Sequence, residues 1–86
     1  MEKFIGRYER PIGREMQVVI MDGELGIISL PTKNPSEALT KLRKVKENVF
    51  RRVRDDGELG EEIVFEVGPD GKVTHFIWNS QYAYRI

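Results

Sequence analysis

The sequence predicts an all-β, antiparallel architecture over both of its ends, on two observations. Three Asp-Gly pairs, Asp22-Gly23, Asp56-Gly57 and Asp70-Gly71, each separate segments of strand character, and Asp-Gly accepts the positive φ angles that tight hairpins require. The segments between them alternate in polarity and are rich in Val, Ile, Phe, Tyr and Trp, residues that suit a pleated, half-buried surface.

Taken in order, Phe4 to Arg10 reads as a first strand stopped by Pro11 and Gly13. Met16, Val18 and Ile20 then point one way while Gln17, Val19 and Met21 point the other. Leu25, Ile27 and Ser29 keep the same period after the first turn. Ile63, Phe65 and Val67 alternate with Val64 and Glu66, and Pro69 presets the turn at Asp70-Gly71. The run Val73 to Trp78 reaches a turn signal at Asn79-Ser80, and Tyr82 to Ile86 closes the chain.

The middle reads two ways. Asn34, Pro35 and Glu37 resemble an N-cap, a first-turn proline and a capping-box carboxylate. Leu39, Leu42, Val45, Val49, Phe50 and Val53 fall on one face at helical spacing, and Gly57 is a plausible stop. That pattern gives an α+β alternative with one helix over residues 36–55. Against it, Lys46 would sit within the apolar face, and Val and Phe favour strands. The strand reading runs Thr40 to Val45, turns at Lys46-Glu47-Asn48, and continues from Val49 to Arg54. Pro31 to Ser36 is the one linker-like segment.

Eighty-six residues, 40% hydrophobic and 33% charged, suit one globular domain spanning 1–86. A chain this short buries only roughly 60–65% of its unfolded surface, so its margin of stability is small. Fourteen basic and fourteen acidic residues cancel, which argues against nucleic-acid binding through a domain-wide positive field. The longest apolar run, Val18 to Met21, is far short of the ~20 residues of a membrane span. No signal-peptide pattern is visible at the start, and the compartment is left open. Without cysteine there are no disulfides and no thiolate chemistry, which suits a reducing compartment such as the cytoplasm without requiring one.

A spaced skeleton runs through these elements: Gly6-Arg7-Tyr8-Glu9, Asp22-Gly23 before Leu25, and Leu42 leading to Asn48-Val49-Phe50. The most specific stretch is Phe50 to Glu61, followed by Val64-Phe65-Glu66, Asp70-Gly71-Lys72-Val73 and a closing Tyr84-Arg85-Ile86. In order and spacing it resembles the lipocalin-like C-terminal domain of β-lactamase-like serine hydrolases, relatives of penicillin-binding proteins and esterases. The resemblance implies a small up-and-down meander barrel of about eight strands, with two strands across residues 40–54 in place of the helix. It also implies a serine hydrolase catalytic domain as partner, in cis or in trans.

That hydrolase chemistry needs a serine with a lysine three positions on, so that the amine can activate the hydroxyl. Three residues after Ser29, Ser36 and Ser80 stand Thr32, Leu39 and Ala83. The motif is absent, so no catalytic residue is assigned and any turnover is expected from a separate domain. His75 is the only histidine and has no chelating partner at metal-ligand spacing; it reads as a strand residue, and no metal or cofactor is expected. Glu61 and Glu62 point to opposite faces and cannot act as a carboxylate pair.

Arg51, Arg52 and Arg54 form a local basic cluster that could hold an anion or contact a partner. Asp55, Asp56 and Glu58 lie close enough to neutralise it across the hairpin. Eight aromatic side chains either fill the barrel or line a cavity, and a filled interior suits so short a wall. Met16, Phe50, Phe65 and Trp78 would line a cavity for a small apolar ligand. The leading expectation is a non-catalytic accessory domain. The alternatives are a freestanding ligand-binding barrel and an oligomerisation module.

Overall fold

The computed structural model describes residues 2–11, 13–30, 34 and 38–86. Eight strands follow one another in chain order: Gly6–Glu9 (β1), Glu15–Met21 (β2), Glu24–Leu30 (β3), Leu39–Lys46 (β4), Val49–Val53 (β5), Leu59–Val67 (β6), Val73–Trp78 (β7) and Gln81–Arg85 (β8). Each pairs antiparallel with the next, and β1 pairs with β8 to close an up-and-down barrel. Closure removes the free sheet edges that an open meander of this size would expose.

The turns explain the order. Asp22 (φ 52) and Gly23 (φ 78) both take positive φ, the two-residue hairpin geometry whose twist matches that of the strands. Asn48 (φ 62) turns β4 into β5, while Asn79 (φ 54) and Ser80 (φ 61) turn β7 into β8. In the longer connections, Asp56 and Asp70 each accept a hydrogen bond from a backbone N–H two residues on, at 2.9 and 3.0 Å.

Residues 39–46 and 49–53 are therefore strands, and the helix over 36–55 does not form. Of the six apolar residues at helical spacing, only Leu42 and Phe50 are buried, while Val45 is 42% exposed. A turn at Asn48 and a register shift between Lys44 and Lys46 break the two-residue period, and the broken period imitates a helical one. The expected capping box includes Pro35 and Glu37, and the linker-like segment includes residues 31–33, 35 and 36; these lie outside the described residues.

The expected first strand begins later than the sequence suggested. Phe4 belongs to a 3-10 turn over Glu2–Phe4 that folds beneath the barrel, and it is 2% exposed. Its ring meets Phe65 at 4.7 Å and Phe50 at 5.2 Å between centroids. Phe65 also meets Tyr8, Phe50 and Phe76. Met16, Val18, Leu25, Ile27, Leu42, Ile63, Val73 and Ala83 complete the buried cluster around these rings.

Arg85 fastens this end of the barrel. Its guanidinium donates to the carbonyls of Lys3 (2.8 Å) and Ile5 (2.6 Å) and lies over the Tyr8 ring. Gly6 makes room: a Cβ there would stand 3.1 Å from Arg85 Nη2. The Tyr8 hydroxyl donates to the Phe4 carbonyl at 2.9 Å. Burial pushes the Tyr8 phenol above its ordinary pKa, and the nearby Arg85 charge partly offsets that.

Candidate functional site

Four residues were singled out by the sequence as a possible ligand lining. Met16, Phe50 and Phe65 sit in the buried cluster, at 5%, 1% and 2% exposure. Trp78 packs against its edge, half-buried, at the end opposite the 3-10 turn. The space these side chains face is crossed by ring-on-ring contacts between Phe4, Tyr8, Phe50, Phe65 and Phe76 at 4.7–6.2 Å.

At the Trp78 end the inward-facing row turns polar. Arg52 stands opposite Leu42, and its Nη1 donates to Glu61 Oε1 at 3.2 Å. Glu61 precedes Ile63, the partner of Trp78, on the same face of β6. Its carboxyl is held below the usual carboxylate range, first by its own backbone N–H and then by Arg52, against partial desolvation. The Trp78 indole nitrogen is buried without a full hydrogen bond, yet its N–H also favours the charged carboxylate. Together the three residues form a polar rim on the packed interior.

The arginine cluster is arranged differently from the expected neutralisation by Asp55, Asp56 and Glu58 across the hairpin. Among the described residues Arg52 alone of the three forms an ion pair, and its partner is Glu61 rather than Asp55, Asp56 or Glu58. Arg51 Nε donates to the Gly60 carbonyl at 2.8 Å. Asp56 serves its own turn instead.

Ser29 and Ser80 are exposed, on β3 and in the β7–β8 turn; Ser36 lies outside the described residues. His75 Nδ1 is 2.9 Å from Thr74 Oγ1, and its ring packs against Tyr82 and Tyr84. Among the described residues no group of three His, Asp or Glu side chains could hold a metal ion. No helix among them is long and apolar enough to cross a membrane.

The outer surface holds a feature that sequence reasoning missed. Val49 pairs with Val64, Val64 with Ile77, and Ile77 with Tyr82. These four apolar side chains form one row across β5, β6, β7 and β8, on the face opposite Phe50, Phe65 and Phe76. Neighbouring strands stand about 4.8 Å apart, so the row is about 14 Å long. At its end, Tyr82 (44% exposed) packs with Tyr84 (50%) at 6.0 Å, and His75 lies 5.3 and 5.2 Å from the two rings. A groove of about 320 Å³ runs from these tyrosines to Arg10, Pro11 and Gln81, closed at one side by an Arg10–Gln81 hydrogen bond. The signal was present in the register: Val64, Ile77 and Tyr82 occupy outward positions that a water-facing strand would fill with polar residues.

Comparison with known proteins gives one assignment. Residues 1–86 match the family described as "Domain of unknown function (DUF3471)". No curated protein matches the chain.

Proposed function

From the premise that the chain belongs to the DUF3471 family, we propose that it is a non-catalytic accessory domain that packs against a partner domain. The partner we propose is a serine hydrolase catalytic domain of the β-lactamase-like kind, joined in cis or met in trans. The observation that carries this reading is the outward apolar row Val49–Val64–Ile77–Tyr82 with the exposed rings beside it. A barrel whose interior is already filled gains little stability of its own from exposed tyrosines and half-exposed aliphatics. Clustered on one face, they suit an apolar surface on another protein.

The resemblance of the chain to C-terminal domains of such hydrolases supports the choice of partner, as does the missing Ser-x-x-Lys motif. The skeleton that carries the resemblance also has a structural reason. Gly6 to Glu9 and Tyr84-Arg85 meet at the β1–β8 seam, where Tyr8 pairs with Arg85 and Glu9 with Tyr84. A ligand inside the barrel would have to displace rings of the Phe4–Phe50–Phe65 cluster, so the ligand-binding reading is the weaker one.

The test has two parts. The natural coding sequence is expected to contain, or lie beside, a domain with Ser-x-x-Lys. Hydrogen exchange on the assembled protein is expected to show protection at residues 73–85 that Ile77→Glu abolishes. A freestanding gene, or unchanged exchange at β7 and β8 in the presence of the catalytic domain, overturns the proposal.

A further inference from the structure

The chain's zero net charge hides a local separation. Residues 41–54, which form nearly all of β4, its turn and β5, hold seven of the fourteen Lys and Arg and a single carboxylate, Glu47. Lys41 and Arg43 alternate along the outer face of β4, and Arg43 stands directly opposite Arg51. Like charges in opposed sheet positions are unfavourable. Gly60 draws the next cation in as well: a Cβ there would lie 3.0 Å from Arg54 Nε, and Arg51 bonds the same glycine's carbonyl. Among the described residues none of Lys41, Arg43, Arg51 and Arg54 forms an ion pair. The fold gathers four cations, none of them in an ion pair with a described carboxylate, with Glu62 opposite Arg51 as the nearest opposed charge in the ladder.

A second observation comes from the backbone. Leu39, Thr40 and Lys41 pair with β3, whereas β4 pairs with β5 only from Leu42 onward. Beyond the Leu42–Arg52 pair the two strands separate, and Val53 pairs with Leu59 on its other side. The gap is a groove of about 610 Å³ lined by Leu39 to Lys41 on one wall and Arg52 to Asp55 on the other. Strand edges without a ladder partner can take up an extended chain through their N–H and C=O groups.

We propose that the split end of the β4–β5 hairpin binds an extended acidic peptide segment. Its backbone lies along the edge of Leu39–Lys41 that faces away from β3, next to Val53, and its carboxylates meet Lys41, Arg43 and Arg54. Charge complementarity selects an acidic occupant, and the geometry selects a narrow one. The cationic strip is two strands wide, with strands about 4.8 Å apart. It is bordered by Glu62, opposite Arg51 on β6, and by Asp55, Asp56 and Glu58 in the connecting loop. A duplex or a bilayer surface is broader and would press its phosphates onto those carboxylates. Single-stranded nucleic acid stacks its bases on aromatic rings, and the exposed rings lie on β7 and β8 instead. This site is separate from the outer apolar row, so either proposal can fail without the other.

The experiment is a titration of the 86-residue chain against a dye-labelled peptide of alternating Glu and Val, read by anisotropy and by amide chemical shifts. Binding is expected to weaken as salt rises. Shifts are expected to concentrate at residues 39–41 and 53–55. Lys41→Glu with Arg43→Glu is expected to weaken binding by at least about tenfold, while an alternating Lys and Val peptide does not bind. Gly60→Ala, which moves Arg54 without changing charge, is expected to weaken binding by a smaller factor, with the barrel checked by circular dichroism. Unchanged affinity in the double reversal overturns the proposal. So do shifts confined to other strands, or binding of anionic vesicles or a single-stranded oligonucleotide where the peptide fails to bind.

Discussion

Five rings inside the barrel and three outside it come in part from the same strands, and they do different things. On β7 and β8, Phe76 and Ala83 face inward and are fully buried, while His75, Tyr82 and Tyr84 face outward. The inner rings meet at interplanar angles of 51–81°, tilted or edge to face, whereas the outer rings lie within 20–39° of parallel. The pleat position, rather than the residue type, decides whether an aromatic side chain fills the barrel or lies on its outer surface. Mutation can break this contrast or sharpen it.

The largest effect is expected from the inner cluster. Phe65 touches four other rings, so Phe65→Ala removes the centre of the cluster and leaves a cavity the barrel cannot fill. A loss of about 3–5 kcal/mol is expected in urea unfolding followed by Trp78 fluorescence. Tyr82→Ala, at 44% exposure, is expected to cost less than about 1 kcal/mol. Equal losses at the two sites would end the distinction between inner and outer rings.

Next comes the fastening at the 3-10 turn. Arg85→Gln removes two hydrogen bonds to carbonyls and the contact with Tyr8, for an expected loss of about 1–2 kcal/mol at a partly exposed site. Tyr8→Phe leaves the Phe4 carbonyl without its donor and is expected to cost about 1 kcal/mol. The Tyr8 pKa is raised in the fold, so the stability it carries is complete below the unfolded value near 10 and lost as pH rises beyond it. The stability deficit of Tyr8→Phe relative to the parent should therefore shrink as pH rises above about 10. A variant that tracks the parent through this range would contradict the burial argument.

How much of this the sequence revealed follows from how local each signal was. The three Asp-Gly pairs and Asn79-Ser80 are self-contained, and each stands at a turn. The β4–β5 hairpin was not legible from periodicity, because Asn48 and the Lys44/Lys46 register shift disturb the alternation on which the reading depends. Only the resemblance to a barrel family resolved it. Phe4 misled for a related reason: a 3-10 turn of three residues leaves no period to read. The outer row was hidden more deeply, and of the cationic group only Arg51 and Arg54 were singled out. Val49, Val64, Ile77 and Tyr82 become neighbours only through three separate registers, and the whole-chain charge of zero conceals seven cations within residues 41–54.

The β7–β8 turn offers a change of opposite sign. Ser80 holds φ 61, a left-handed conformation that costs an ordinary residue about 1 kcal/mol and glycine almost nothing. Ser80→Gly makes the turn Asn-Gly, the preferred pair for this geometry, and is expected to raise stability by about 0.5–1 kcal/mol. The outer rings flank this turn, so tightening it should leave their packing intact. A fall in melting temperature would show that the Ser80 side chain makes an interaction more valuable than the strain it causes.

The smallest effect tests the polar rim. Arg52 and Glu61 keep 40% and 31% of their side-chain surface exposed, and a pair this open is worth about 0.5 kcal/mol or less. The folded-state pKa of Glu61 is lowered, so its contribution is complete above the ordinary carboxylate value near 4.3 and disappears as pH falls through the depressed one. Glu61→Gln should therefore be slightly less stable than the parent at neutral pH, and the two should converge in acid. A gap that persists at low pH would mean that Glu61 acts through packing beside Trp78 rather than through charge. In that case the rim would belong energetically to the ring cluster beneath it, and the boundary between the packed interior and the outer surface would lie one residue further out.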